Sequence, residues 1–324
     1  MRISILIATH NRAEILDQTL DAMTRVDSAG LMPHWIVIDN NSTDRTPEIA
    51  SRYANVLPLQ YLFEPEPGKN RALNRAIEDA ELGEIVVFSD DDVTPEPAWL
   101  QSIAESAQTL IDVDVFGGRV EIRWPDVRVP GWAKSPSLSR WAFGEHHLND
   151  EPCEYPALRY PCGPNFWIRR RVLEDGMRYD ESVGPRPQNR IMGSETSFLM
   201  RLRREGYRVW YWPSARVEHR IQPGLITPSG IRLKAASNGR WMPRVQGPKP
   251  LAIYRCCRTV WYLYRATALG WSSARLAASY FFLSTDQRVL RMVDGTRRVH
   301  YNLECLRLAW SASPEWINED SRAS

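Results

Sequence analysis

The chain has 324 residues, 43% of them hydrophobic, and a net charge of +2. This is a globular composition, and the length suggests about two domains. The apolar run at residues 1–8 is too short and wrongly flanked for a secretory signal, so the N-terminus is expected to stay cytosolic. The five cysteines show no spacing typical of a zinc site and are expected to be reduced, buried thiols.

The small net charge hides an uneven distribution. Residues 225–300 hold 13 Lys or Arg residues against only Asp286 and Asp294, about +11, which leaves about −9 for the rest. An anionic surface or a polyanion is therefore expected to meet the C-terminal region first. The charge alone leaves nucleic acid, membrane phospholipid and internal ion pairing open.

Short β-branched runs alternate with helical patterns over the first 92 residues. Strands are predicted near 3–8, 35–38, 59–63 and 84–88, and helices near 13–23, 46–53 and 69–80. The alternation predicts right-handed βαβ units and a mostly parallel sheet.

Farther along the chain the pattern is less regular. Pro95 is predicted to open a helix that runs to about residue 110, and a strand is predicted at 115–122. Residues 124–164 are rich in Trp and Pro and are expected to form loops over a crevice. A strand at 166–168, a short helix at 170–175, a helix at 197–205 and a strand at 207–212 complete the predicted elements.

Three consecutive carboxylates, Asp90, Asp91 and Asp92, follow the predicted strand 84–88. Such a triplet is costly unless solvent or a cation compensates it, and a divalent ion with a bound diphosphate would do so. A solvated acidic turn is the alternative. Polar clusters also follow the first two strands, and the carboxyl ends of strands in an open α/β sheet face one crevice, so a ligand is expected there.

Motifs for other nucleotide chemistry are absent. The first βα turn lacks glycine and no Walker-type loop occurs, so hydride transfer and ATP hydrolysis lose support. Asp39 could accept hydrogen bonds from a base or a ribose, or else form a turn. Lys69 follows Gly68 at a predicted helix start, where a phosphate would be favoured, although a solvated lysine is the alternative.

An ordered set of segments resembles glycosyltransferase family 2. The segments are residues 3–12, 36–44, 68–69, 88–92, 163–166, 193–195, 201–202 and 213–219. Their joint order and spacing carry the resemblance, which covers residues 1 to about 220.

The resemblance implies an α/β protein of the GT-A fold, with a Rossmann-like, mostly parallel sheet flanked by helices. A basic helical extension is expected at the C-terminus. The catalytic domain is predicted at 1–224, with a nucleotide-sugar-binding half at 1–110 and an acceptor-binding half at 111–224. The basic, mainly helical region is predicted at 225–324.

The resemblance also implies an activity. A sugar would pass from a nucleotide-diphospho-sugar of the UDP, GDP or dTDP type to a hydroxyl of a saccharide or lipid-linked acceptor, with inversion and with Mg²⁺ or Mn²⁺ as cofactor. Cell-surface polysaccharide or glycolipid assembly is the expected setting, and no nucleic acid partner is expected. The alternatives are a sugar nucleotidyltransferase, whose glycine-rich, basic loop is absent, and a non-catalytic carbohydrate- or membrane-binding relative.

The family's motifs assign roles to individual residues. Asp92 would bind the metal and Asp90 the metal or ribose, while His219 would either complete the metal shell or serve as a structural donor. Glu195 would be the base, although the family's usual Gly-Glu-Asp is here Gly193-Ser194-Glu195. The expected nucleotide-sugar contacts are Thr9, Asn11, Arg12, Asp39, Lys69, Asp90 and Asp91, and the expected acceptor-side residues are Asn165 and Trp167. Asp91, the variable middle position of its motif, could instead face solvent, and Trp167 could instead fill the core.

Arginines interrupt the apolar stretch between residues 251 and 283, so a transmembrane helix is not expected. Arg255, Arg258 and Arg265 share one helical face. That face would either lie on anionic lipid or pair with acidic residues of the catalytic domain. A cytoplasmic protein is expected, and peripheral contact with the inner face of the membrane is left open.

Overall fold

The structure, a computed structural model, describes residues 1–186, 191–246, 258–278 and 283–311. These residues form two compact units. The first unit comprises residues 1–128, 136–186 and 194–222. The second comprises residues 129–135, 191–193, 223–246, 258–278 and 283–311. The domain boundary at 224 remains a prediction.

A nine-stranded sheet lies at the centre of the first unit. Its strands are β1 (Arg2–Thr9), β2 (Met32–Asp39), β3 (Leu59–Phe63), β4 (Ile85–Asp90), β5 (Val93–Pro95), β6 (Val115–Arg123), β7 (Cys153–Glu154), β8 (Phe166–Arg169) and β9 (Val209–Arg220). The order is β3-β2-β1-β4-β8-β6-β9-β5, and β7 pairs with β9. Strands β1 to β4 pair in parallel, as do β6 and β9, whereas β5, β7 and β8 pair antiparallel with their neighbours. The predicted mostly parallel sheet is confirmed.

Helices cover both faces of this sheet. They are α1 (Ala13–Met23), α2 (Thr46–Tyr53), α3 (Lys69–Asp79), α4 (Trp99–Thr109), α5 (Pro136–Phe143), α6 (Arg171–Glu174) and α7 (Ser194–Arg204). Ile5 of β1 packs in one core cluster with residues of α1 and α4, and its neighbour Leu6 packs in another with residues of α3 and α7. Both faces of β1 are thus buried, which explains its uninterrupted apolar run.

Three local predictions differ from the structure. The helix predicted from Pro95 begins at Trp99, because residues 93–95 pair with β9 as a short strand. The predicted loop region 124–164 contains a 3₁₀ turn at Gly131–Lys134, the helix α5 and the strand β7. Strand β9 continues to Arg220, because its second half pairs with both β6 and β5 after a register shift at Gly118.

The second unit is helical, as predicted. Its helices are α8 (Pro228–Gln246), α9 (Arg258–Ala278) and α10 (Thr285–Ser311). Gly239 of α8 lies so close to the carbonyl oxygen of Arg297 in α10 that a Cβ atom would clash with it. Arg244 and Glu304 form an ion pair between the same two helices, with 2.7 Å between Nη2 and Oε1.

Of the three arginines predicted to share one face of the C-terminal region, the structure describes the side chain of Arg265 alone, and the surface that this face meets stays a prediction. Arg265 is 7% exposed and packs inside the second unit, with Nη1 lying 3.3 Å from Oδ1 of Asn302 in α10. Arg255, Cys256 and Cys257 lie outside the described residues. The other three cysteines, Cys153, Cys162 and Cys305, are free thiols, of which only Cys305 is fully buried.

Candidate active site

The polar clusters that follow β1, β2 and β4 meet at one edge of the sheet. Strand β1 pairs with both others, so that Thr9 lies opposite Asp39 and Ala8 lies opposite Asp90. Parallel strands bring their carboxyl ends to the same edge, and this register places Asp90, the first residue of the acidic triplet, beside the end of β1. The triplet therefore lies at the central strands of the crevice.

Two of the triplet's carboxylates belong to a buried group that we name the Arg12 cluster: Thr9, Arg12, Asp91, Asp92 and His219. The guanidinium of Arg12 donates to Asp91 and, over 2.8 Å, to Oδ2 of Asp92. The hydroxyl of Thr9 donates to Oδ2 of Asp91 over 2.7 Å. The side chains of Asp91 and Asp92 are 4% and 11% exposed. The alternative in which Asp91 only faces solvent is therefore wrong.

Burial and charge act in opposite directions in this cluster. Burial raises the pKa of Asp91 and outweighs the attraction of Arg12. Burial also acts to raise the pKa of Asp92, but His219 and Arg12 outweigh it, so this pKa lies far below its usual range. Burial opposes the charge of Arg12, yet Asp91 and Asp92 outweigh that effect and raise its pKa. Arg12 and Asp92 therefore form a permanently charged pair.

One carboxylate oxygen of the Arg12 cluster is unsatisfied. Oδ1 of Asp92 is buried without a hydrogen-bond partner in the part of the chain that the structure describes. Nε2 of His219 lies 3.3 Å from it. Nδ1 of His219 donates to the carbonyl oxygen of Phe143 over 2.6 Å, which orients the ring so that Nε2 faces Asp92. A carboxylate oxygen and an imidazole nitrogen thus converge.

Arg220 supports the loop that carries the triplet, and the sequence patterns did not identify it. Its backbone N–H donates to the carbonyl of Asp92 over 2.8 Å, and its guanidinium donates to the carbonyl of Val93 and the hydroxyl of Thr94 over 2.5 and 2.7 Å. The hydroxyl of Thr19 in α1 donates to the carbonyl of Asp91 over 2.5 Å. The position of Arg220 directly after His219 was the only signal in the sequence.

The third carboxylate of the triplet belongs to a separate group, the Lys69 bridge, which consists of Lys69, Asp90 and Glu195. The ammonium of Lys69 lies 2.5 Å from Oδ1 of Asp90 and 2.6 Å from Oε1 of Glu195. The three side chains are 19%, 23% and 21% exposed. Burial opposes the charge of Lys69, but Asp90 and Glu195 outweigh it and raise the pKa of the ammonium. The predicted base and the acidic triplet are therefore joined by one side chain.

Two asparagines of α3 hold the segment that leads to Glu195. Nδ2 of Asn70 donates to the carbonyls of Asp180 and Val183 over 2.7 and 3.1 Å, and its Oδ1 accepts the hydroxyl of Ser194. Asn74 exchanges two hydrogen bonds with the backbone of Tyr179, at 2.9 and 3.0 Å. Ser194 is the first residue of α7, so Asn70 positions the helix turn that carries the predicted base.

The segment at 163–166 contributes backbone rather than side chains to this edge. A Cβ atom on Gly163 would lie about 3 Å from the side chain of Glu195, so a glycine lets the carboxylate lie against the backbone. Asn165 is fully buried, and its Nδ2 donates to the carbonyls of Arg119 and Ala215 over 2.9 and 2.8 Å.

The structure corrects the predicted acceptor-side role of Asn165 and Trp167. Trp167 is fully buried, stacks on Phe116 and donates from Nε1 to the hydroxyl of Ser106 over 3.0 Å. Oδ1 of Asn165 accepts from the indole of Trp99 over 2.9 Å. Both side chains hold the core together and do not reach a surface that an acceptor could contact.

The turns after β1 and β2 bond to each other. Asn11 adopts a left-handed conformation with φ of 50°, and its Oδ1 accepts the backbone N–H of Thr43 over 2.7 Å. Asp39 is fully buried and accepts from the N–H of Ser42 and the hydroxyl of Tyr61 over 2.8 and 2.7 Å. The contacts of Asp39 are those of the turn-forming alternative. Binding of the nucleotide-sugar by Asn11 and Asp39 stays a prediction.

An acidic triplet at the carboxyl edge of a mostly parallel sheet, with a further carboxylate at a helix start beside it, is typical of a glycosyltransferase. The family model of glycosyl transferase family 2 matches residues 4–177. The chain therefore belongs to glycosyltransferase family 2.

Curated relatives agree with this assignment. Glycosyltransferase AglE of Haloferax volcanii is 27% identical over 244 residues, which cover 74% of each chain. The glucosyl-dolichyl phosphate glucuronosyltransferase of the same organism is 23% identical over 239 residues, which cover 68% of this chain and 70% of that one.

Solved structures with the same fold bind nucleotide-sugars. The mannosyltransferase PcManGT of Pyrobaculum calidifontis, in complex with GDP-Man and Mn²⁺, has a TM-score of 0.56 and 19% identity, and the match covers 96% of this chain and 87% of that one. Staphylococcus aureus TarS in complex with UDP-GlcNAc has a TM-score of 0.52 and 17% identity, and the match covers 97% of this chain and 93% of that one. These likenesses establish the GT-A fold that the sequence predicted.

Proposed function

We propose that the chain transfers a sugar from a nucleotide-diphospho-sugar to an acceptor hydroxyl, with inversion at the anomeric carbon and with a divalent cation. The Lys69 bridge carries this proposal, because one ammonium contacts both Asp90 of the triplet and Glu195. A donor held at the triplet would therefore lie within reach of the carboxylate that must accept the acceptor's proton.

The residues present fit a divalent cation. Oδ1 of Asp92 and Nε2 of His219 lie 3.3 Å apart, and the oxygen is buried without a hydrogen bond from the described residues. Oxygen and imidazole ligands suit Mn²⁺ and, less well, Mg²⁺. The described residues contain no group of three or more His, Cys, Asp or Glu side chains placed to hold a metal, so Asp92 and His219 would share the ion with donor oxygens. A bound cation would stabilise charge on the departing diphosphate.

Glu195 would act as the base. The acceptor oxygen forms a bond to the anomeric carbon as the bond from that carbon to the diphosphate oxygen breaks, the acceptor proton passes to Glu195, and the electron pair leaves with the diphosphate. Glu195 lies in the first turn of α7, and its Oε1 lies 2.6 Å from the ammonium of Lys69. Lys69 and Arg12 are cations of the same edge that would bind the negative charge of the donor.

The acceptor is proposed by analogy with named relatives. One relative is a glucosyl-dolichyl phosphate glucuronosyltransferase and another is a poly(ribitol-phosphate) β-N-acetylglucosaminyltransferase. These names support a lipid-linked or polymeric saccharide acceptor, and hence a role in polysaccharide or glycolipid assembly. Membership of the transferase family argues against the sugar nucleotidyltransferase alternative.

A thermal-shift screen of UDP-, GDP- and dTDP-sugars tests the metal and the donor together, because a ligand that binds the folded state raises its melting temperature. We expect one donor to stabilise the chain more with Mn²⁺ than with EDTA. Asp92→Asn keeps the side-chain shape and should abolish that difference, along with Mn²⁺-dependent release of the nucleoside diphosphate.

Asp112→Asn, at an exposed aspartate before β6, is the matched control and should behave as the wild type. Equal donor binding and turnover in EDTA, or an unchanged metal response in Asp92→Asn, would refute the metal assignment. If no nucleoside diphosphate is released with any acceptor that is tested, the non-catalytic alternative is favoured.

A further inference from the structure

In the part of α9 whose side chains the structure describes, residues 263–274, Arg265 lies inward while Leu263 and Trp271 lie outward. Arg265 is buried, and its guanidinium lies 5.4 Å from the ring centre of Tyr301 in α10. Leu263 and Trp271 are 61% and 69% exposed. A surface helix of a globular protein normally has the opposite arrangement, with apolar residues against the core.

The exposed side of α9 contains no charged residue between positions 263 and 274. Its exposed residues are Leu263, Tyr264, Ala266, Thr267, Gly270, Trp271, Ser273 and Ala274, and we name this surface the α9 outer face. The buried positions of the same stretch are polar, Arg265 and Ser272. A continuous apolar patch of this kind on a folded protein marks a surface that another molecule covers.

The charge of the second unit indicates the chemistry of that molecule. Its described residues include 13 Lys or Arg against Asp286, Asp294 and Glu304, a net charge of about +10. Arg232 and Arg291 are among its exposed cations. A strongly positive unit attracts an anionic surface and repels a second copy of itself.

We propose that the α9 outer face docks on an anionic lipid bilayer. Leu263 would enter the acyl region, and the rings of Tyr264 and Trp271 would lie at the level of the headgroups, where aromatic side chains are favoured. Across the described parts of the chain, no helix is long and apolar enough to cross a membrane, so α9 would lie in the plane of the interface. The sequence had predicted lipid contact for a face that includes Arg265, whereas the structure buries Arg265 and exposes Leu263 and Trp271.

Flotation of the full chain with lipid vesicles tests this proposal without donor, metal or acceptor, so its outcome is separate from that of the proposed transfer reaction. We expect the chain to float with phosphatidylcholine vesicles that contain phosphatidylserine, and to float less in high salt or with pure phosphatidylcholine. Leu263→Ser with Trp271→Ser should lower the bound fraction at least about tenfold, given the apolar area removed.

The matched control is Leu158→Ser, which removes an exposed leucine of the first unit and should leave flotation unchanged. Leu263, Trp271 and Leu158 are all exposed, and an unchanged thermal unfolding temperature would show that the two variants are folded. Equal flotation of the double variant and the wild type would overturn the proposal, as would absence of binding to anionic vesicles in low salt. A wild-type dimer that the double variant converts to monomer would assign the face to a second copy instead.

Discussion

The Arg12 cluster and the Lys69 bridge hold neighbouring residues of one acidic triplet, yet they balance charge differently. In the cluster, two almost fully buried carboxylates share a guanidinium, and Thr9 and His219 add further contacts. In the bridge, Asp90 and Glu195 share a single ammonium at a partly exposed position. The Arg12 side chain is 33% exposed and that of Lys69 is 19% exposed, so a bound anion can reach either cation. The carboxylates of the cluster also keep their contacts with Thr9 and His219, whereas those of the bridge depend on Lys69.

The largest effect is expected from breaking the bridge at Glu195. Glu195→Gln keeps the size of the side chain but removes its ability to accept a proton. Transfer should fall by about 10² or more, the usual scale of general-base loss, while donor binding by thermal shift stays close to that of the wild type.

Glu48→Gln is the control, because Glu48 is also a first-turn glutamate, exposed at the start of α2. It should not change transfer. A Glu195→Gln variant that retains wild-type transfer would show that another group takes the proton.

A half-buried histidine beside like charges sharpens the comparison. Nε2 of His146 lies 2.6 Å from the hydroxyl of Tyr155, and burial, with smaller effects of Arg159 and His147, lowers the pKa of His146 to about 4. The unfolded chain binds this proton near pH 6.5, so the stabilisation is present above pH 6.5 and is lost as the pH falls towards 4. Burial with like charges nearby therefore favours the neutral form of His146, whereas His219 and Arg12 keep Asp92 charged in spite of its burial.

We expect the free energy of unfolding to fall by about 2 kcal/mol between pH 7 and pH 5 from this histidine alone. Urea unfolding at the two pH values measures it. His146→Gln should remove most of this dependence, and His147→Gln, at an exposed neighbour, should not. The same pH slope in His146→Gln and the wild type would contradict the assignment.

The smallest effect is expected from the residues that position the bridge. Asn70→Ala and Ser194→Ala each remove one side of the hydrogen bond that fixes the first turn of α7. Ser194→Ala should lower kcat about tenfold, the cost of one lost buried hydrogen bond, with little change in the KM of the donor. Asn70→Ala should lower kcat by at least as much, because it also removes the hydrogen bonds to the carbonyls of Asp180 and Val183.

The double variant distinguishes positioning from general damage. If Asn70 acts through Ser194, the kcat of the double variant should be close to that of the less active single variant. The effects of substituting two residues that share one hydrogen bond do not add. Additive losses, or a raised donor KM in place of a lowered kcat, would contradict this coupling.

Local patterns were sufficient to predict the central half of the sheet. The apolar run of β1 and the alternation of strands with helices depend on neighbouring residues, and the triplet follows a strand whose period is visible in the sequence. Strand β5 was missed because residues 93–95 become a strand only by pairing with β9, which lies more than 100 residues later. For that reason the helix predicted from Pro95 begins only at Trp99.

The candidate site, like the sheet, could be predicted from the sequence only in part. The Asp-x-Asp spacing and Glu195 follow from motifs, but the pairing of Arg12 with Asp91 joins residues 79 positions apart and depends on the folded sheet. The acceptor-side role of Trp167 was wrong because Phe166, Trp167 and Ile168 are all fully buried. A sequence shows that an indole is present, but the packing of both sheet faces decides whether it reaches a surface.

The pairing of β5 with β9 has a consequence for synthesis of the chain on the ribosome. A nascent chain that has reached residue 177 contains the whole segment matched by the family, including the acidic triplet. It lacks Glu195, His219 and Arg220, and β5 has not yet met its partner strand. Until β9 leaves the exit tunnel, the carboxylate of Asp92 is without His219 and the loop at residues 92–94 is without Arg220, so we expect the catalytic edge to form late in translation.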